Sequence, residues 1–167
     1  HEVDLNTIPE EVKILSPYDQ YPSLVDRELV LQNSRVIIEY LDERFPHPPL
    51  LPVDPISRAK FRLALNEIEH IWYSKYSEAY NDEVLDDNFV KEIKNYFLEI
   101  APLIKKKFFM SDDFGLVDCS IAPLLWRLKS LDFDLAENNK VIADYSERIF
   151  DREAFQDSLT ETEKELF

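Results

Sequence analysis

Apolar residues recur along this chain in two regimes, and the change between them falls at a cluster of prolines. Before the cluster the runs are short. His1 to Leu5 reads as the end of a strand, and Ile8 to Leu15 has the spacing of a short helix, with Pro9 tolerated near its start. Ser23 to Asp26 and Glu28 to Leu31 are two short extended runs around a turn at Asp26-Arg27. A helix is then expected from Asn33 to Phe45. Asn33 or Ser34 can cap it, and Val36, Ile37, Tyr40 and Leu41 form one apolar face.

The cluster itself is PHPPLLPVDP, residues 46–55, in which five of ten positions are proline. Proline fixes φ and pushes the residue before it out of the helical region, so the stretch is extended, stiff and a natural boundary. Everything beyond it is helical in pattern. Phe61, Leu65, Ile68 and Trp72 share one face of a long helix from Ile56 to Tyr80. Phe89, Ile93, Phe97, Ile100 and Ile104 share a face of a second, running to Phe108. A third starts near Leu116 with Val117, Ile121, Leu124 and Leu128 inward, and shorter helices cover Lys140 to Phe150 and Arg152 to Leu159. Pro102 and Pro123 lie inside these patterns and predict kinks. The acid-rich stretch from Ser77 to Asn88 reads as a solvated turn.

Composition narrows what such a chain does. Apolar residues make up 45% and aromatics 13%, enough for a packed core. There is one glycine, Gly115, so the glycine-rich phosphate loops are absent. A net charge of −15 disfavours direct nucleic-acid binding, which needs cations at the phosphates, and favours a partner with a basic face. The same acidity also serves solubility alone. The lone cysteine, Cys119, excludes an internal disulfide and suits a reducing compartment. With no long apolar run and no signal-peptide pattern at HEVDLN, the expectation is a cytoplasmic protein off the membrane.

The candidate chemistry is sparse. His1, His47 and His70 lack metal-ligand spacing, and HExxH, CxxC and GxSxG are missing, so no metal, cofactor or nucleophile is expected. His70, two residues before Trp72, reads as a core or interface residue. Prolines flank His47 and hold its backbone, so its imidazole loses little entropy on binding; the plainer alternative is an exposed linker residue. The repeated PxxP spacing is better explained by a tie between two units than by a free ligand for an aromatic groove. Cys119, beside Val117, Ile121 and Ala122, reads as a buried, inert thiol. Asp118, third in its helix, can accept the Gly115 N–H as half a capping box, and Phe114 and Cys119 have staple spacing.

Taken together, Tyr21-Pro22 before a strand, the Asn33-Ser34 helix start, the proline connector and the Asp118 capping position resemble the glutathione-transferase fold. The segments YPSLVDRELVL, SRVIIEYLDERFPHPPLLPV, IAPLI, FGLVDCSIAPLLWRL and RIFDREAFQDSLTE narrow the resemblance to the bacterial stringent starvation protein A family, over nearly the whole chain. The resemblance implies an α+β/α architecture: a partial thioredoxin-like unit at 1–45, a connector at 46–55 and an all-helical domain at 56–167. The family's opening strand and helix are not in this sequence. It implies a cis Pro22, beside which a transferase holds a thiol peptide, with positions 33 and 34 gripping the γ-glutamyl group. Asn33 stands where transferases place Glu or Gln, which weakens that site. It further implies a homodimer with Arg35, Glu39, Arg58 and Arg62 near its axis. The function implied is a regulator without transferase activity, bound to RNA polymerase holoenzyme at its sigma factor through Pro46, His47 and Pro48. Asp54 joins that patch where the family often has Tyr. The rival reading is a glutathione transferase acting on small electrophiles.

Overall fold

The computed structural model describes residues 7–16, 21–74, 87–104, 106–130 and 133–165. The chain divides into two compact units, 1–50 and 51–167.

In the first unit, helix α1 (Glu10–Leu15) precedes strands β1 (Ser23–Asp26) and β2 (Leu29–Gln32), and helix α2 (Ser34–Arg44) closes it. The strands pair antiparallel with Ser23 opposite Gln32 and Asp26 opposite Leu29. The turn is therefore Arg27-Glu28, with Arg27 at φ 57°, and β2 starts one residue later than the alternation predicts. Side chains tie the pieces together. The Tyr40 hydroxyl donates to Asp26, which holds the phenol above its ordinary pKa, and the Gln32 amide donates to the Leu15 carbonyl at 2.8 Å. Of the four residues expected on the inner face of α2, Ile37 is buried and Tyr40 half-buried, whereas Val36 and Leu41 stay exposed within this chain. The strand expected at His1 to Leu5 lies outside the described residues.

The second unit is helical throughout. Helix α3 (Pro55–Glu67) begins on the last connector proline, which suits a first helical position because its missing N–H would have no partner there. It continues as a π-helical turn, Ile68–Tyr73, instead of as a straight helix. Phe61, Leu65, Ile68 and Trp72 are all buried, as their spacing predicts. His70 is exposed, so of the two roles expected for it, core or interface, the core role does not hold. The expected course of this helix beyond Ser74, and most of the predicted acidic turn, lie outside the described residues. Asp87 and Asn88, assigned to that turn, already belong to helix α4 (Asp87–Ile100).

Phe89, Ile93 and Phe97 of α4 are buried, but the helix stops at Ile100, well before Phe108. Pro102 explains this, since it has no N–H to give and its ring meets the carbonyl four residues back. It sits instead in a 3-10 turn, Ala101–Leu103. A tight loop then leads to helix α5 (Leu116–Ser130), in which Pro123 is accommodated. Val117, Ile121, Leu124 and Leu128 are almost wholly buried, and α5 packs on α3, on the π turn and on helix α7 (Lys140–Phe150). Two short helices that the periodicity missed, α6 (Leu135–Asn138) and α9 (Glu161–Lys164), flank α7 and helix α8 (Glu153–Ser158). Both have four residues, too few to show a period, and both start on side-chain caps: Asp134, and a Thr160–Glu163 capping box.

Asp118 does more than the half-capping role its position predicts. One carboxyl oxygen accepts the Gly115 N–H at 2.7 Å; the other accepts the Phe109 N–H at 3.0 Å and the Tyr145 hydroxyl at 2.6 Å. Burial pushes its pKa above the usual carboxylate range, and these three donors pull it back. Burial, then the neighbouring Asp118 charge, raises the Tyr145 phenol well above its ordinary value, so it stays a donor. Around this bond the loop is closed by aromatics. Phe108 meets Phe114 edge-on, and the Arg152 guanidinium lies 3.9 Å from the Phe114 ring centre. Cys119 is half-buried, not fully enclosed as its neighbours imply.

Removing the carboxyl strands two backbone donors and a phenol in the interior. Asp118→Ala is expected to lower the unfolding free energy by about 3 kcal/mol, and Tyr145→Phe by about 1 kcal/mol. Urea titration of the two single variants and the double should give less than the sum of the two losses, because the residues share one bond.

Candidate functional site

The sequence singles out two places in the first unit, and the structure describes both. The first is the start of α2. Asn33 takes φ 73° and ψ 116°, a backbone conformation that favours glycine, and its side-chain oxygen accepts the Arg35 N–H at 3.0 Å and the Val36 N–H at 3.4 Å. The cap thus engages Asn33 Oδ1 within its own helix, while Ser34 begins the helix. Tyr21-Pro22 is a cis peptide bond immediately before β1, as the resemblance implies. The Tyr21 hydroxyl is buried with no hydrogen-bond partner among the described residues. Of these four positions, Asn33 holds the helix end with its side-chain oxygen.

The second place is the turn after α2. Pro46, His47 and Pro48 are all exposed, and His47-Pro48 is the other cis bond among the described residues. The Phe45 N–H donates to the Leu41 carbonyl at 2.9 Å and the His47 N–H to the Phe45 carbonyl at 2.9 Å, so the chain leaves the helix in a closed turn. At the far end, the Leu50 N–H donates to a carboxyl oxygen of Asp42 at 2.6 Å. Phe45 is 65% exposed, and the Arg44 guanidinium lies 5.2 Å from its ring centre. The sequence reading left out both Phe45 and Asp42. An exposed aromatic next to the Pro-His-Pro run could have marked the first; nothing in the sequence marks the second, because its partner lies eight positions away across the loop.

Asp54, assigned to the same patch, belongs to the second unit and caps α3. It accepts the Ser57 N–H at 2.8 Å, and the hydrogen bonds from Ser57 hold its carboxyl below the usual carboxylate range. Its local role is therefore structural. The four residues assigned to a dimer axis are also engaged. Arg35 and Glu39 pair at 3.6 Å on α2 and help line a shallow cleft of about 310 Å³ with Leu31, Val36, Tyr40 and Glu43. Arg58 donates to the Pro52 carbonyl at 3.1 Å, and Arg62 is half-buried. Ile56 and Leu63, one heptad apart on α3, are 69% and 65% exposed.

Comparison with known proteins agrees with this geometry. Residues 56–153 match the glutathione S-transferase C-terminal domain family, and residues 1–49 match the N-terminal domain family. A stringent starvation protein A homolog of Haemophilus influenzae is 49% identical over 163 residues, 96% of this chain and 77% of that one. The homolog of Coxiella burnetii is 43% identical over 175 residues, 99% of this chain and 81% of that one. Among solved structures, the glutathione transferase Omega 3C of Trametes versicolor superposes with a TM-score of 0.85 at 17% identity, over 96% of this chain and 76% of that one.

The positive φ at Asn33 separates two contributions. Asn33→Ala loses the cap and adds backbone strain, an expected cost of about 1–2 kcal/mol, whereas Asn33→Gly loses the cap but fits the backbone and costs a few tenths. Chemical denaturation of both variants checks the order.

Proposed function

The chain belongs to the glutathione S-transferase family, among the stringent starvation protein A homologs, and from that membership we propose a regulator of transcription instead of an enzyme. In this reading the protein acts in the cytoplasm under starvation and stress. It docks on RNA polymerase holoenzyme at the sigma-factor region through Pro46, His47 and Pro48, and changes promoter use without catalysing a reaction. The observation that carries the reading is the exposed Pro-His-Pro turn, closed by backbone hydrogen bonds on a chain of net charge −15. A turn that is ordered before contact gives up little entropy on binding, so a small surface suffices. The surrounding negative charge steers it towards a basic face on the partner and away from DNA.

The working unit in this reading is a homodimer. Val36 and the cleft beside Arg35 and Glu39 leave apolar surface of the first unit uncovered, and Ile56 and Leu63 do the same in the second. A second copy of the chain covers such faces in pairs, since a two-fold interface uses the same patches twice.

The second reading, catalysis on a small electrophile with glutathione, has one observation in its favour: both domain matches are to transferase families. Against it stands the cap at Asn33, which already uses the side-chain oxygen of the first residue of the γ-glutamyl pair.

Tagged protein is expected to retain RNA polymerase holoenzyme at moderate salt, and the Pro46→Ala, His47→Ala, Pro48→Ala triple variant to lose it with an unchanged circular dichroism melt. Equal capture by the triple variant would sink the contact surface. The protein is also expected to pass through immobilised glutathione unretained and to leave a generic aromatic electrophile unconjugated; retention with turnover would establish the second reading instead.

A further inference from the structure

We propose that Asp42 is the positioning residue of the Pro-His-Pro turn, holding it in one conformation before a partner arrives. The inference rests on reading that turn as the contact surface.

Residues 45–50 carry three backbone N–H groups, on Phe45, His47 and Leu50, because Pro46, Pro48 and Pro49 have none. All three are engaged. Phe45 closes the helix onto Leu41 and His47 closes the turn onto Phe45, both local bonds. The Leu50 N–H reaches eight positions back to Asp42, and of the three it alone spans the turn. Leu41 and Asp42 are consecutive on the last turn of α2. Both ends of the exposed stretch 45–49 are therefore fastened to a single helical turn.

The placement of Asp42 supports the role. Its neighbours Leu41, Glu43 and Arg44 are exposed, while Asp42 is 5% exposed. A buried carboxyl is unfavourable unless hydrogen bonds compensate it. The Leu50 N–H lies 2.6 Å from the Asp42 carboxyl oxygen, a short contact for an N–H donor. The prolines restrict φ within the turn but leave its far end free to swing about Pro49-Leu50. The Asp42 bond removes that freedom. Because every N–H of the stretch is used internally, a partner meets carbonyl acceptors, proline rings and the His47 imidazole, and gains affinity from their fixed spacing.

The test uses the full chain and immobilised RNA polymerase holoenzyme, with association and dissociation rates, melting temperature and Leu50 amide exchange measured on each variant. Asp42→Ala is expected to speed Leu50 exchange and weaken binding about tenfold, mainly through slower association, since a disordered turn must first find the bound shape. Asp42→Asn keeps a neutral acceptor and is expected to fall between Ala and wild type. In the Pro46/His47/Pro48 triple-alanine background, Asp42→Ala is expected to add nothing. A merely structural role would lower the melting temperature and the active fraction without changing the association rate of folded molecules.

Faster Leu50 exchange with wild-type binding in Asp42→Ala, alongside lost binding in the triple variant, would overturn the positioning role and leave the contact surface standing. Wild-type binding by the triple variant would remove the contact surface and the positioning role with it. If Asp42→Ala does not fold, Asp42→Asn decides the matter: faster exchange without weaker binding refutes the inference.

Discussion

The helical unit is organised around one carboxyl group, that of Asp118, which is fully buried at the start of α5 and accepts hydrogen bonds from Gly115, Phe109 and Tyr145. Three pieces of chain that share no secondary structure meet there: the beginning of α5, the loop before it, and the middle of α7. An unpaired carboxyl in that place would be too costly to bury, so the loop must present two N–H groups and α7 a phenol in fixed positions. Those demands set the register of α7 against α5. Beside them Phe108 and Phe114 meet edge-on, with the Arg152 guanidinium over both rings.

The first unit relies on the same device at smaller scale. Tyr40 to Asp26 joins helix to hairpin, Gln32 to Leu15 joins hairpin to α1, and Asp42 to Leu50 joins the connector back to α2. With a two-stranded ladder and few buried apolar residues of its own among those described, the unit takes much of its order from side chains that satisfy backbone groups. The Pro-His-Pro turn is rigid for the same reason. Its prolines restrict φ, and the N–H groups that remain are all engaged.

These constraints bear on the proposed function, in which the protein presents a surface to a partner. The side-chain oxygen of Asn33 caps α2, and the three histidines have no metal-ligand spacing in the sequence. The chain carries an exposed Pro-His-Pro turn, a net charge of −15 and uncovered apolar residues on α2 and α3. In the proposed reading such a surface recognises its partner by shape and charge, properties a folded chain carries before contact.

The sequence by itself determined the helical character beyond the prolines, the inward faces of α3, α4 and α5, and a cap for α2 at Asn33 or Ser34. Each rests on periodicity or on the stereochemistry of one residue, and both are local. The resemblance carried by YPSLVDRELVL and the later segments added the transferase-like fold and the cis Pro22, which no local rule requires. Only the tertiary structure decided the rest. Pro102 ended α4 in place of kinking it; His70 turned outward; Asp118 became a hub, not half a cap; Asp42 found Leu50 across the turn. For Asp118 and Asp42 the deciding partner is a backbone or side-chain group brought close by folding. A pattern of polar and apolar positions records which residues prefer burial, but not which hydrogen-bonding groups will meet once they are buried.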